Sequence, residues 1–199
     1  GRTILNRYFD NHAITKEVIS YERDAFIHYI NEHPEKLTHN HIEQIRTHGK
    51  NGILPNDVIM SLSEITGAEK FLNSSDILVN LKSTRPIQVP YVLEHFFHDN
   101  TVVNQCIQLD KNAFYNYIQQ HPEKLEQSHI DTIRRINPNQ KLSNTDLSIL
   151  SKFKKTKDFL TLDMLTINQL KARDDIEHSR HLFFSAPLVK QVKNNLQKY

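Results

Sequence analysis

The sequence is poor in several residue types on which common classes of protein depend. Its 199 residues include one cysteine, four glycines and no tryptophan. A single cysteine excludes an internal disulfide and any zinc site built from several thiolates. The chain has no Gly-x-Gly run, which excludes enzymes that hold phosphate in a P-loop or Rossmann loop. No run reaches the roughly 20 apolar residues of a membrane helix. Because the chain also has only one cysteine, we expect a protein of a reducing, cytoplasmic environment.

The strongest pattern in the chain is an internal repeat with an offset of 88 residues. Residues 25–37, AFIHYINEHPEKL, are echoed by residues 113–125, AFYNYIQQHPEKL. The similarity runs without a gap from 4–72 to 92–160 and then slips by one residue. This period is longer than that of the common helical solenoid repeats, so each copy is large enough to hold its own core. The sequence therefore predicts a tandem duplication of an ~88-residue multi-helix unit.

The repeat predicts how the chain is divided. We expect a first helical unit, a linker that contains Pro86 and Pro90, a second helical unit and a C-terminal helix, at residues 1–85, 86–91, 92–177 and 178–199. Phe183 and Phe184 repeat an aromatic pair that opens each unit. The last segment is therefore either a capping helix or the start of a third unit.

Apolar residues recur at steps of three and four, and this spacing predicts an all-α fold. A long stripe predicts a helix over 13–32 and its counterpart in the second unit, with Tyr21, Leu109 and Cys106 at core positions. Pro34 and Pro122 end these helices, because the residue before a proline disfavours helical backbone. Further helices are expected at 39–48, 56–66 and 74–83, and at 127–136, 144–154 and 161–172. No stretch alternates with the period of a strand.

The repeated His-Pro-Glu-Lys-Leu block at 33–37 and 121–125 allows two interpretations. In the functional one, His33 and His121 are matched acid–base or ligand groups, since histidine titrates near neutral pH. In the structural one, which we favour, the proline stops a helix and the leucine fills the core. Glu35 is then expected to pair with Arg46, and Glu123 with Arg134.

Histidine is abundant, with 12 residues, and two spacings suggest a metal site. His39 and His41 come together only where the backbone departs from a regular helix. His178 and His181 share a helical face, and Asp174, Asp175 and Glu177 lie nearby in the sequence. Two histidines and a carboxylate suit zinc or iron. We nevertheless predict no cofactor, because no established metal motif is present.

A lysine cluster distinguishes the second repeat from the first. Lys152, Lys154, Lys155 and Lys157 align with Glu64, Thr66, Gly67 and Glu69, so the local charge is inverted. Such a cluster binds an acidic protein, anionic lipid headgroups or nucleic-acid phosphate. Nucleic acid ranks last, because the net charge is only +2 and Phe153 is the only aromatic residue in the run. The structural alternative is a solvated helix end whose lysines complement the helix dipole.

The helical texture rich in Asn, His, Gln and Lys includes residues 115–121, YNYIQQH, and 192–198, VKNNLQK. This composition resembles that of proteins secreted into host cells by intracellular bacteria such as Legionella. The resemblance implies a modular effector that acts in the host cytosol on a host protein or membrane.

We conclude from the sequence that the chain is a non-catalytic helical module that binds a macromolecular partner, in the first place a protein. Tandem helical units provide extended surfaces for this task. The four lysines are the predicted contact. Two alternatives stay open: membrane recruitment through anionic lipid such as phosphoinositide, and a metal-dependent hydrolase centred on His178 and His181.

Overall fold

The computed structural model describes residues 1–83, 86–166 and 168–170. Within these ranges the chain is all-α, as predicted, with α-helices joined by short 3-10 turns and no strand. The helices are α1 (Arg2–Tyr8), α2 (His12–Tyr21), α3 (Arg23–Glu32), α4 (His39–His48), α5 (Asn56–Ser63), α6 (Ser74–Leu81), α7 (Val89–Phe96), α8 (Asn100–Leu109), α9 (Lys111–Gln120), α10 (Gln127–Ile136), α11 (Asn144–Leu150) and α12 (Thr156–Phe159). Contacts divide the chain into a first and a second unit between His95 and Phe96.

Three helices of the first unit have the same lengths and spacing as three helices of the second unit. α2, α3 and α4 begin and end exactly 88 residues before α8, α9 and α10. The caps agree as well, because Asn11 Oδ1 accepts the N–H groups of Ala13 and Ile14, and the Asp99 carboxylate makes the same bonds 88 residues later. Side-chain acceptors at this position satisfy amides that a helix leaves unpaired. In each unit the third of these helices packs on the first, α4 on α2 and α10 on α8.

The predicted helix over 13–32 is wrong as a single element. α2 and α3 meet at Glu22, whose φ of −136° and ψ of 50° lie outside the helical region. Asp110 separates α8 from α9 in the same way, with φ −151° and ψ 83°. The apolar stripe does not continue through such a residue. Tyr21 is therefore 82 % exposed and Leu109 48 % exposed, although the sequence placed both in the core.

Several other bounds differ from the predictions. α5 and α11 stop at Ser63 and Leu150, before the expected ends. Thr161 precedes a 3-10 turn at Leu162–Met164, where a helix to 172 was expected. Pro90 lies in the first turn of α7, not in extended chain; proline is tolerated there because the first amides of a helix have no partner within it.

Each unit has a core of large apolar side chains. In the first unit the most buried ones include Leu5, Phe26, Tyr29, Ile30, Ile42, Leu54, Ile59 and Leu62. In the second unit they include Val103, Cys106, Ile107, Phe114, Ile118, Leu125, Ile130 and Ile133. Cys106 is fully buried, which confirms its predicted core position, and burial raises the pKa of its thiol to about 12, which disfavours the thiolate.

The described residues include no helix with the length and apolar character needed to cross a bilayer. The predicted C-terminal helix at 178–199 lies outside the described residues.

Candidate functional site

The four predicted lysines lie on a short segment that we call the lysine turn, residues 151–157, which runs from the end of α11 into the first two residues of α12. All four side chains are exposed. Phe153 and Thr156, between them in the sequence, are buried. Thr156 Oγ1 donates a hydrogen bond of 2.7 Å to the carbonyl of Leu150. Two buried anchors therefore hold the turn in place while its lysines face solvent.

Within the described part of the chain, no carboxylate pairs with a lysine of the lysine turn. Ion pairs in the second unit join Lys111 to Asp146, His121 to Glu123 and Arg134 to Asp163, and none of them includes a lysine of the turn. Lys155 Nζ donates to the backbone carbonyl of Glu123, which leaves its positive charge in place. The structure thus brings four cations together on one exposed turn.

The corresponding turn of the first unit has different charge and different backbone geometry. Glu64, 88 residues before Lys152, accepts a hydrogen bond of 3.1 Å from the Tyr91 hydroxyl and lies 3.2 Å from His95 Nε2. Burial and the nearby carboxylate raise the pKa of Tyr91. Gly67 has φ +80°, a left-handed conformation, whereas Lys155 has φ −65°. Of the two corresponding turns, therefore, only the one in the second unit is basic.

The His-Pro-Glu-Lys-Leu block packs against aromatic rings in the first unit. The ring of His33 lies 4.6 Å from that of Tyr29, centroid to centroid. Lys36 Nζ donates to the Tyr29 hydroxyl at 2.7 Å and lies 5.2 Å from the centre of the Phe9 ring. The bond to Tyr29 is the main cause of a raised pKa for Lys36. Leu37 is buried.

The second unit repeats these contacts. His121 lies 4.6 Å from Tyr117, and Lys124 Nζ donates to the Tyr117 hydroxyl at 2.7 Å and lies 5.5 Å from the centre of the Phe97 ring. Leu125 is fully buried. The block thus joins a helix end to an aromatic cluster in each unit, as its structural interpretation requires.

The expected pairs Glu35–Arg46 and Glu123–Arg134 are wrong. Arg46 Nη2 donates to Asp76 Oδ2 at 2.7 Å, and Arg46 also pairs with Glu43 on its own helix. Arg134 Nη1 pairs with Asp163 at 2.7 Å. Both aspartates are remote in sequence from the arginine that binds them, so the expectation of a bridge between adjacent helices did not reveal them.

A histidine near the start of α4 and of α10 closes each helix end. His41 Nδ1 accepts the backbone N–H of Thr38 at 3.2 Å, and His129 Nδ1 accepts that of Glu126 at 3.1 Å. Both rings are buried and meet phenylalanine rings edge-on. Burial is the main cause of a lowered pKa in each, so both imidazoles are neutral at pH 7.

These buried histidines predict acid sensitivity. Their pKa values in the folded protein lie below the ordinary 6.5, so the stability they provide is present above pH 6.5 and is lost as pH falls from there through the lower folded values. We expect the melting temperature to fall between about pH 7.5 and about pH 5.5. The double variant His41→Asn, His129→Asn keeps an acceptor for the cap and should lose less over the same interval. An equal loss in the variant would contradict the assignment.

A buried polar cluster in the second unit surrounds Asp146, which is 0 % exposed. Lys111 Nζ lies 2.8 Å from its carboxylate, the Tyr115 hydroxyl donates to it at 2.7 Å, and Asn137 Nδ2 also donates. Burial disfavours the ionised carboxylate, but these hydrogen bonds outweigh burial and hold its pKa below the ordinary range. Burial and the same aspartate raise the pKa of Tyr115.

The sequence indicated part of this cluster. Ser143 and Asp146 have the spacing of a capping box, with Asp in place of the usual Glu, and both bonds of that box are present. Lys111 and Tyr115 lie 35 and 31 residues before Asp146, and no local spacing connects them with it.

The two histidine pairs that suggested a metal site lie in different parts of the chain. His39 and His41 both lie in α4, where His41 is committed to the helix cap and His39 Nε2 is 3.5 Å from Glu43. Among the described residues, no group of three or more His, Cys, Asp or Glu side chains is arranged to hold a metal ion. His178 and His181, with Asp174, Asp175 and Glu177, lie outside the described residues.

Comparison of the chain with protein-family profiles, with curated protein sequences and with solved structures finds no match.

Proposed function

We propose that the chain is a non-catalytic helical module that binds an acidic surface of a protein partner through the lysine turn. One observation carries the proposal: four exposed lysines lie on a turn anchored by buried Phe153 and Thr156, with no carboxylate paired to them in the described ranges. A fixed, unneutralised patch of one sign steers an oppositely charged partner and selects against partners of like charge.

We further propose that the two units arose by tandem duplication of an ~88-residue unit. The sequence repeat, the matched bounds of three helices and the matched aromatic contacts of Lys36 and Lys124 support this origin. After a duplication, shared contacts preserve the fold, and the surface that differs is the place to look for a new function. Here that surface is the lysine turn.

The composition that resembles secreted bacterial effectors leads to a proposed place of action, the cytosol of a host cell. In this setting the module recruits a host protein, and its own chemistry is binding alone.

The test compares two variants with the same change in net charge. Replacing Lys152, Lys154, Lys155 and Lys157 with Glu should abolish retention of a partner from eukaryotic cell lysate, identified by mass spectrometry, while helical content and melting temperature stay near wild type. The control replaces four exposed lysines of the first unit with Glu, namely Lys16, Lys50, Lys70 and Lys82. It should retain the same partner as wild type.

The affinity for that partner should also weaken as salt rises, because exposed charges are screened beyond about 10 Å at 0.1 M salt. Unchanged retention by the lysine-turn variant, or equal loss in the control, would overturn the proposal. Binding to liposomes that requires phosphatidylserine or a phosphoinositide, with no protein retained, would instead assign the turn to a membrane surface.

A further inference from the structure

The first unit contains an open pocket that is independent of the lysine turn. Its volume is about 560 Å³, and it lies among the connection from α1 to α2, the turn at Pro34–Lys36 and the first turns of α2 and α4. Its lining includes Phe9, His12, Lys36, Asn40, His41 and Gln44. We call this the first-unit pocket.

The starts of two helices line the first-unit pocket. His12 is the first residue of α2, and Asn40 and His41 belong to the first turn of α4. Both helices have ten residues, so each presents the positive end of a full helix dipole. Helix N-termini favour anions for this reason.

A buried side chain supplies an independent indication of a ligand. His41 is 7 % exposed, and its Nδ1 accepts the Thr38 N–H, so the ring proton is on Nε2. Among the described residues Nε2 donates to no side chain or carbonyl, and the ring lines the pocket. Gln44, which also lines it, has a buried Oε1 without a partner. The pocket therefore offers one unused donor and one unused acceptor.

Lys36 adds a fixed positive charge. Its ammonium group is already positioned by the Tyr29 hydroxyl at 2.7 Å and by the Phe9 ring at 5.2 Å. A cation held in this way loses little conformational freedom when it binds a ligand. The Phe9 ring also lines the pocket and supplies an apolar wall beside that charge.

Two exposed carboxylates, Asp10 and Glu35, line the same pocket and oppose an anion that has no proton. Together with Gln44 Oε1 they are acceptors. A ligand that suits the whole set must carry negative charge and also donate a hydrogen bond. Phosphate that keeps one proton does both, whereas sulfate at neutral pH does not.

We propose that the first-unit pocket binds a protonated phosphate group, with Lys36 and the Nε2–H of His41 as donors to its oxygens and Gln44 Oε1 or a neighbouring carboxylate as acceptor of its P–OH. Inorganic phosphate and phosphate monoesters share this chemistry. The pocket has space beyond one phosphate, so the ester group of a monoester fits beside Phe9.

The second unit provides matched controls. Lys124 makes the same contacts to a tyrosine hydroxyl and a phenylalanine ring as Lys36. His129 closes α10 as His41 closes α4, but it is 0 % exposed. The residue 88 positions after Gln44 is Thr132, whose hydroxyl already donates to Asn104 Oδ1 and to the Ser128 carbonyl, so the unpaired acceptor of the first-unit pocket is not repeated. A change in either unit therefore disturbs the fold similarly, whereas only the first unit is expected to bind.

The test is an NMR titration of the full chain with inorganic phosphate at constant ionic strength and pH 6.0, where a monoester is about half protonated. Amide shifts should saturate for residues 11–15 and 36–44. Lys36→Met and His41→Asn should each weaken binding by about tenfold or more, since each removes a hydrogen bond to a charged ligand. Lys124→Met and His129→Asn should stay within about twofold of wild type.

Two further ligands make the result specific. Sulfate should bind about tenfold more weakly than phosphate, because it cannot donate to the unpaired acceptors. Methyl phosphate should shift the same amides if the natural source is a monoester, and inorganic phosphate alone should do so if the source is the free ion. Absence of saturable shifts, equal affinity for sulfate, or equal loss in the second-unit controls would overturn the proposal. His41→Asn keeps an acceptor for the Thr38 N–H, and melting temperatures identify any variant that is simply unfolded.

Discussion

Replacing Phe114 with alanine is expected to lower the stability of the second unit by about 3–5 kcal/mol, because the cavity left by a buried phenylalanine is not refilled. Phe114 is 0 % exposed, and its ring lies 6.4 Å from that of Phe97 and 5.2 Å from that of His129. Removing it separates α9 from the helix cap at the start of α10. Urea unfolding followed by circular dichroism measures the loss.

The matched change in the first unit is Phe26→Ala. Phe26 is also 0 % exposed and lies 6.3 Å from Phe9 and 5.2 Å from His41. If the units share an origin and a packing scheme, the two variants should lose stability by amounts that agree within about 1.5 kcal/mol, the usual spread between such sites. A loss below about 1 kcal/mol in one unit and above about 3 kcal/mol in the other would contradict the shared packing.

Replacing Asp146 with alanine is expected to destabilise the second unit by about 3–5 kcal/mol, the usual effect of removing one partner of a buried charge pair. The change leaves the Tyr115 hydroxyl buried without its acceptor, and it leaves Lys111 without its ion pair. It also removes the carboxylate that caps α11 through the N–H of Ser143. The melting temperature and urea midpoint report the loss.

The pH dependence separates this cluster from ordinary packing. The pKa of Asp146 in the folded protein is below its ordinary 3.8, so its contribution is present above pH 3.8 and disappears as pH falls through the lower folded value. Wild type should therefore lose stability in this acid range more steeply than Asp146→Asn. The first unit has the apolar Val58 at the position 88 residues earlier, so the cluster belongs to the second unit.

Asp57 offers a control of the same residue type. It pairs with Arg23 at 2.7 Å, and its side chain is 64 % exposed. An exposed ion pair contributes about 0–1 kcal/mol, so Asp57→Ala should change stability by no more than that. If Asp57→Ala and Asp146→Ala lower the free energy of unfolding by the same amount, burial does not account for the contribution of Asp146.

Local sequence predicted those helices whose ends are set by nearby residues. α4 and α10 have the bounds expected at 39–48 and 127–136. The prolines at 34 and 122 begin 3-10 turns just after the preceding helices end. The cap formed by Ser143 and Asp146 is also local, because the acceptor and the donor are three residues apart.

Breaks without a proline or glycine signal were not predictable in this way. Glu22 and Asp110 interrupt a continuous apolar stripe. Asp110 is of a preferred N-cap type and accepts the Ala113 N–H at the start of α9, a signal that the apolar stripe obscured, whereas the Glu22 side chain makes no such cap. Periodicity reports which residues are apolar, and it does not report whether one helix or two carry them. Tyr21 was therefore assigned to the core although it faces solvent.

The all-α class, the buried state of Cys106 and the clustering of four lysines between residues 152 and 157 follow from the amino-acid sequence. These properties depend on composition and on spacings of a few residues. Other features depend on how the chain packs: Arg46 binds Asp76, Tyr115 and Lys111 meet Asp146, and the His41 ring lines a pocket. Hydrogen bonds of this kind depend on where remote helices pack, because a side chain binds the partner that packing brings within about 3 Å.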